Sequence, residues 1–242
     1  MSHQTKNILE LITPEIRADM ETIKFAADLH HGHPKIIDIC NRPVSLSQAQ
    51  LDTMTEDKRS VKFPEYRRLL SIAHDEWLIK EVINRWVDKR DSLYLLGDVS
   101  MAKRIDAEKF IDRLNGNKYL IEGNHDKNIK NSTRFAQITI RKDFSYTRFG
   151  INLHIVLDHY PMLSWNRKVH GSWQLYGHVH GRLKNFGHSF DVGIDNPELH
   201  EITGGYHRPL NLFEIVTIME TRRPLPIQEI VKQMGFNEID DE

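Results

Sequence analysis

Cysteine is almost absent from this chain, with one residue, Cys40, among 242. A single thiol closes no intramolecular disulfide, so a disulfide-stapled secreted scaffold is excluded and a reducing, cytoplasmic setting is expected. Long apolar runs are missing as well. No stretch reaches the roughly 18 residues that a bilayer-spanning helix requires, so no membrane role is expected. Residues 1–22 carry Asp19 and Glu21 and show no apolar centre of a secretory signal. Neither sign of charge dominates: 33 Lys+Arg stand against 34 Asp+Glu, for a net charge of -1. That balance lacks the basic footprint of a protein gripping long duplex nucleic acid by its backbone. No Gly/Ser linker, low-complexity tract or internal repeat divides the chain, so one main domain is expected, large enough to bury a core.

What the chain does have is histidine, 14 in all, and their placement carries the argument. Segment 1–22 reads as an N-terminal helical extension broken in two at Pro14. Its Ile8, Leu9, Leu11, Ile12, Ile16 and Met20 suit either packing on the domain's own surface or a contact with a partner, such as a homodimer. Residues 23–220 read as the main domain, with 44–73 as a cap or insertion, and 221–242 as a C-terminal helix and acidic tail. Within the domain, apolar runs at 23–27, 93–96, 119–121, 151–157, 175–176 and 190–193 predict strands, with 144–148 and 151–157 an antiparallel pair about Phe149-Gly150. Helical spacing appears at 75–90, 105–115, 211–220 and 226–234. The class is mixed α/β. Five of the predicted strands end on Asp, Asn or His, where ligands collect in open α/β sheets.

Those ends supply Asp28, His30, Asp98, Asn124, His125, His159, His178 and His180. Carboxylate, amide oxygen and imidazole without thiolate suit divalent Mn, Fe, Zn or Ni. Even with one of the eight left over, seven ligands exceed one tetrahedral ion but serve two if a carboxylate bridges, and paired ions form the usual clamp for phosphoester cleavage. In Asp28-x-His30 and His178-x-His180, an extended backbone would point both members to one side.

The blocks Asp28-Leu29-His30, Gly97-Asp98, Gly123-Asn124-His125-Asp126, His159 and Gly177-His178-Val179-His180 resemble those of the calcineurin-like metallophosphoesterase superfamily. Cys40-Asn41-Arg42-Pro43, His159-Tyr160-Pro161 and Asp191-Val192-Gly193-Ile194-Asp195 are similar to its small single-domain phage and bacterial members. The resemblance implies a four-layer αββα sandwich and two divalent ions, most simply Mn. Asp28, His30 and His180 would hold one ion, and Asn124, His159 and His178 the other, with Asp98 bridging. A metal-bridging hydroxide would attack phosphorus in line. His125 would serve the leaving oxygen, with Asp126 orienting its ring.

The balanced charge favours a small phosphomonoester, nucleotide or cyclic nucleotide. The alternatives are a phosphodiesterase or nuclease on short single strands and, in another class, a metal-stabilised protein-interaction module. Three further residues are candidate substrate contacts. His33 lies beside the first motif, Arg42 has an anion-binding fork, and His207 sits in Gly204-Gly205-Tyr206-His207-Arg208. For Arg42 a surface salt bridge is the competing reading. The basic run from Lys58 to Arg68, with Phe63 and Tyr66 interleaved, reads either as a solvated face or as a stacking segment over the cleft.

Overall fold

The parallel strands are legible because both of their faces are buried. In the computed structural model, which describes residues 7–225 and Glu229, β1 (Ile23–Ala26), β2 (Ser92–Leu96), β3 (Asn117–Ile121) and β4 (Gln137–Thr139) run parallel. The short β9 (Leu210–Asn211) closes the other edge antiparallel to β1, giving the order β4-β3-β2-β1-β9. A second sheet has the order β5-β6-β7-β8, from β5 (Arg141–Arg148), β6 (Ile151–Asp158), β7 (Trp173–Tyr176) and β8 (Ser189–Asp191). Its first pair is antiparallel and the rest parallel. The hairpin between β5 and β6 turns on Phe149 and Gly150, both at positive φ (54° and 79°), as a two-residue turn demands. The protein is therefore mixed α/β with two mixed sheets.

Period-two alternation divides the first sheet between two cores. Phe25, Tyr94, Leu96 and Ile121 share a cluster with Phe144, Leu153, Ile155 and Leu175 of the second sheet. Phe25 meets Phe144 edge-on at 5.8 Å and stacks on Tyr94 at 5.4 Å. Their neighbours Ala26, Leu93, Leu95 and Leu120 point the other way, onto Ala107, Phe110 and Ile111 of α5 (Arg104–Arg113) and the Leu78–Asn84 turns.

The N-terminal segment is less separate than its sequence reads. It forms a 3-10 turn (Ile8–Leu11) and α1 (Pro14–Glu21), with Pro14 at the first helical position. Ile16 and Met20 are buried in the main core beside α7 (Leu212–Glu220). The Ile8 N–H donates to Glu220 at 3.0 Å, and Asp19 accepts from the Tyr146 hydroxyl at 2.8 Å. Most of the apolar stripe is thus used within the chain.

The helix expected at 75–90 begins earlier, as α4 (Pro64–Trp77), because Pro64 supplies its start. It continues as a π-helix over Leu78–Asn84. It stops where the Asn84 side chain ties to α5 instead, accepting from the Asn115 N–H and donating to the Arg113 carbonyl. Residues 44–73 hold α3 (Gln48–Asp52), a 3-10 turn at Glu56–Lys58 and the start of α4. They share a small apolar cluster with Ile37 of α2 (Lys35–Cys40), built on Leu46 and Leu70. Lys58, Arg59, Lys62, Arg67 and Arg68 face solvent, while Tyr66 packs inward. The short helix α6 (Pro197–Thr203) was not foreseen. No described helix is long and apolar enough to cross a membrane. The helix expected at 226–234 and the acidic tail lie outside the described residues apart from Glu229, which pairs with Arg223 at 2.7 Å.

Candidate metal centre

Each expected ligand leaves a strand at its carboxyl end. Asp28 follows β1, Asp98 follows β2, Asn124 follows β3, His159 follows β6 and His178 follows β7. The loops lock to one another through their backbones. Asp28 N–H donates to the Gly97 carbonyl at 3.0 Å, His30 N–H to the Asp98 carbonyl at 2.9 Å, and Gly177 N–H to the His159 carbonyl at 3.1 Å.

Five of these residues, Asp28, His30, Asp98, His178 and His180, have φ between 50° and 73°. Left-handed backbone is costly for a residue with a side chain, and such outliers gather at functional sites. Asp28 and His30 therefore do not converge by lying on extended chain, as the i, i+2 spacing predicts; left-handed turns bring them together.

Two groups result. Asp28, His30 and His180 each offer a ligand atom within 4.8 Å of the others, and Asp98, His159 and His178 do likewise. Asp98 lies between the two groups, with Oδ2 3.6 Å from His30 Nε2 and Oδ1 3.5 Å from His159 Nε2. Asn124 Oδ1 is 3.1 Å from His159 Nε2. The structure thus brings the seven residues Asp28, His30, Asp98, Asn124, His159, His178 and His180 into one cluster.

The donor atoms suit divalent cations. His159 Nδ1 donates to the Leu96 carbonyl at 2.8 Å and His180 Nδ1 donates to the Asp195 carboxylate at 2.8 Å. Each bond fixes the ring so that Nε2 faces the cluster, the usual arrangement for a metal-binding imidazole. His180 Nε2 and His30 Nε2 stand 3.2 Å apart, and His30 Nδ1 is buried without a partner. Acidic groups crowd the same volume. Burial, then Asp191, Asp98 and Asp195, push the Asp28 carboxyl well above its ordinary range. Burial also works to raise Asp98, but hydrogen bonds from His159 and the His125 backbone N–H outweigh it and hold it down to about 2. Burial and the neighbouring His180 push His30 down to about 3. A buried cluster of carboxylates and neutral imidazoles is what a cation relieves.

Four residues take different places from those expected. Asp126 does not orient His125. Its buried carboxylate accepts from the Val99 N–H (2.8 Å), the Ser100 N–H (3.3 Å) and the Gly123 N–H (2.9 Å), so it clamps the β2 and β3 loops together. His125 instead approaches Asp98, with Nε2 4.0 Å from Oδ2, and is 41% exposed at the mouth of the cluster. Arg42 is neither a substrate contact nor a surface ion pair. It is 3% exposed, and its side-chain hydrogen bonds all go to interior partners. His207 sits behind the site, where Nδ1 donates to the Ile194 carbonyl at 2.9 Å and the ring packs on His200 and Trp77. His33 remains at the cleft, its ring 5.6 Å from that of His30.

Two acids were missed as site residues. Asp195 joins Arg42 to His180, and Asp191 accepts from the Gly181 and Gly193 N–H groups at 2.9 and 2.7 Å. Asp191 and Asp195 bracket the apolar Val192 and Ile194, and that was the available signal, since a buried acid needs a partner.

Gly123 shows how tight the packing is. A methyl group there would collide with both the backbone nitrogen and Oδ1 of Asp98. Gly123→Ala is expected to lower stability by about 1–3 kcal/mol and to displace Asp98. Urea unfolding at wild-type midpoint would count against this packing.

No family model matches the chain. It is 26% identical over 207 residues to an uncharacterized protein of Methanocaldococcus jannaschii, spanning 83% of this chain and 93% of that one. Among solved structures it resembles a protein of unknown function from Aquifex aeolicus. The TM-score is 0.50 at 18% identity, covering 81% of this chain and 98% of that chain. At that identity the likeness concerns the fold alone.

Proposed function

We propose that the protein is a dinuclear metal-dependent phosphoester hydrolase of the metallophosphoesterase type, its two sheets and flanking helices forming a four-layer αββα sandwich. One observation carries the reading: two groups of three candidate ligands lie side by side at the strand ends of both sheets, with the Asp98 carboxylate in one group and facing the other. Asp28, His30 and His180 would hold one ion and Asn124, His159 and His178 the other, with Asp98 common to both.

Divalent ions there supply charge for phosphoryl oxygens and acidify water to a nucleophile at neutral pH. The chain's own residues provide the rest. His125, exposed beside Asp98, holds a proton at Nε2 for the leaving oxygen. His33 lines the same mouth. Asp126 keeps the two loops in register.

The substrate is a small phosphomonoester, nucleotide or cyclic nucleotide. Support for an organic ring comes from Tyr160, which is 45% exposed although its ring packs 5.0 Å from His159 and 4.7 Å from His178. Its backbone is pinned at both ends, the N–H to Asp158 and the carbonyl to Gln174, each at 2.9 Å. Stacking of a base on such a ring contributes about 1–3 kcal/mol. Tyr160→Ala is therefore expected to raise KM for a nucleotide about 5- to 150-fold and to leave glycerol phosphate unaffected. An equal loss on both esters would remove the ring-binding role.

The reading itself is tested by a hydrolysis screen of monoesters, linear and cyclic diesters and short oligonucleotides with Mn, Ni or Zn. Absence of bound metal together with absence of turnover on every ester would sink it and favour a protein-interaction module. Cleavage confined to oligonucleotides would place the activity with single-strand nucleases.

A further inference from the structure

The two groups of ligands are held in different ways. The Asp98–His159–His178 group is held by the bond from His159 to the Leu96 carbonyl, by that from the His125 N–H to Asp98, and by the His178 N–H, which donates to the Asp28 carboxylate at 2.9 Å. The Asp28–His30–His180 group has, beside the backbone bonds of Asp28 and His30 to the Gly97 and Asp98 carbonyls, a buried guanidinium behind it.

Arg42 follows Asn41, which caps α2 in the left-handed region (φ 51°) and turns the chain inward. A guanidinium has five N–H donors, and here each has a partner. Nε and Nη2 grip Asp195 Oδ1 and Oδ2 at 2.9 and 2.7 Å. Nη2 also donates to the Asp28 carbonyl at 2.6 Å, while Nη1 donates to the Leu29 carbonyl at 2.7 Å and to His74 Nε2 at 2.8 Å. Asp28 is left-handed (φ 61°), and Leu29 links it to His30, left-handed in turn (φ 54°). Asp195 Oδ2, gripped from one side by Arg42, accepts from His180 Nδ1 on the other. One side chain thus bonds Asp28 directly, holds the residue that precedes His30 at its carbonyl, and meets His180 through Asp195. None of its bonds goes to Asp98, His159 or His178.

We propose that Arg42, acting with Asp195, is a positioning residue for one of the two metal positions only, that of Asp28, His30 and His180. The inference rests on the two-ion reading above. Lysine cannot replace Arg42, because an ammonium has three donors and no planar fork. Asparagine at 195 keeps the shape but replaces one carboxylate oxygen by an NH2, which must face a donor. That donor is Arg42 Nε if the amide oxygen stays with Nη2 and His180, or both Nη2 and His180 Nδ1 if it does not, so the link from Arg42 to His180 is weakened either way.

The test is manganese titration of metal-stripped protein, read by calorimetry for stoichiometry and by EPR for coupling between ions. Wild type is expected to take two ions per chain. Arg42→Lys and Asp195→Asn are each expected to keep one ion at wild-type affinity and to bind the other about 10- to 100-fold more weakly, with loss of the coupled signal. His159→Ala gives the converse, losing the position that Arg42 does not touch. The retained ion reports that the fold is intact, and the nearly isosteric Asp195→Asn keeps the test open if Arg42→Lys does not fold. Retention of both ions at wild-type affinity, or equal weakening of both in a folded variant, overturns the proposal. A wild type that binds no manganese overturns the metal reading itself, a different result from either.

Discussion

Asp98→Asn is expected to abolish turnover, by about three orders of magnitude or more in kcat, and to remove at least one ion. The expectation follows from position. Asp98 Oδ2 faces His30 and Oδ1 faces His159, so this one carboxylate presents an oxygen to an imidazole of each group. An amide keeps the shape and an oxygen for the His125 N–H, now at 2.9 Å, but it loses the negative charge and one acceptor. Charge stabilisation by paired ions is worth several kcal/mol in the transition state, and about 4 kcal/mol is a factor of 10³. The fold should survive. A ligand present at 100 times its dissociation constant stabilises a protein by about 2.7 kcal/mol. Chelator should therefore lower the melting temperature of wild type clearly and that of Asp98→Asn much less. A variant that keeps both ions and normal turnover would remove Asp98 from the centre of the mechanism.

His125→Ala should separate chemistry from binding. The ring is exposed and lies outside both groups of converging ligand atoms, so both ions are expected to remain. The lost proton donor should lower kcat about 10²–10⁴-fold, the usual contribution of general acid catalysis. The loss should shrink for esters whose leaving group needs no proton, such as a nitrophenolate. Were metal to depart with the ring, His125 would be a ligand and its assigned role would fall. Asp126→Asn makes a useful contrast. Its carboxylate accepts three backbone N–H bonds, so its loss should appear first as instability.

The clustered residues were legible because an apolar run such as Leu93–Leu96 marks a parallel strand, and whatever follows its last residue stands at the sheet's carboxyl edge. Gly97-Asp98 and Gly177-His178 are adjacent to such runs, so local sequence sufficed. The hairpin at Phe149-Gly150 was legible for a similar reason. Arg42 was not, since its meaning depends on Asp195, 153 residues away, and a guanidinium reads alike in sequence whether it meets solvent or a buried acid. Asp126 misled through adjacency. Lying next to His125 in sequence suggested a shared task, whereas its carboxylate points to the β2 loop. The helix start at Pro64 was missed because the apolar stripe begins later, at Trp77 and Leu78, while the earlier turns pack only on a small local cluster.

The left-handed backbone of the five ligand residues has a kinetic consequence. Each such conformation costs about 1–3 kcal/mol, and the cost falls on folding, when the strands meet and their loops interlock. On the two-ion reading, an arriving ion would find a finished cradle. Its capture would require no loop rearrangement, so the slow step would be the stripping of water from the ion, and the ion's own water-exchange rate would govern how fast the centre fills.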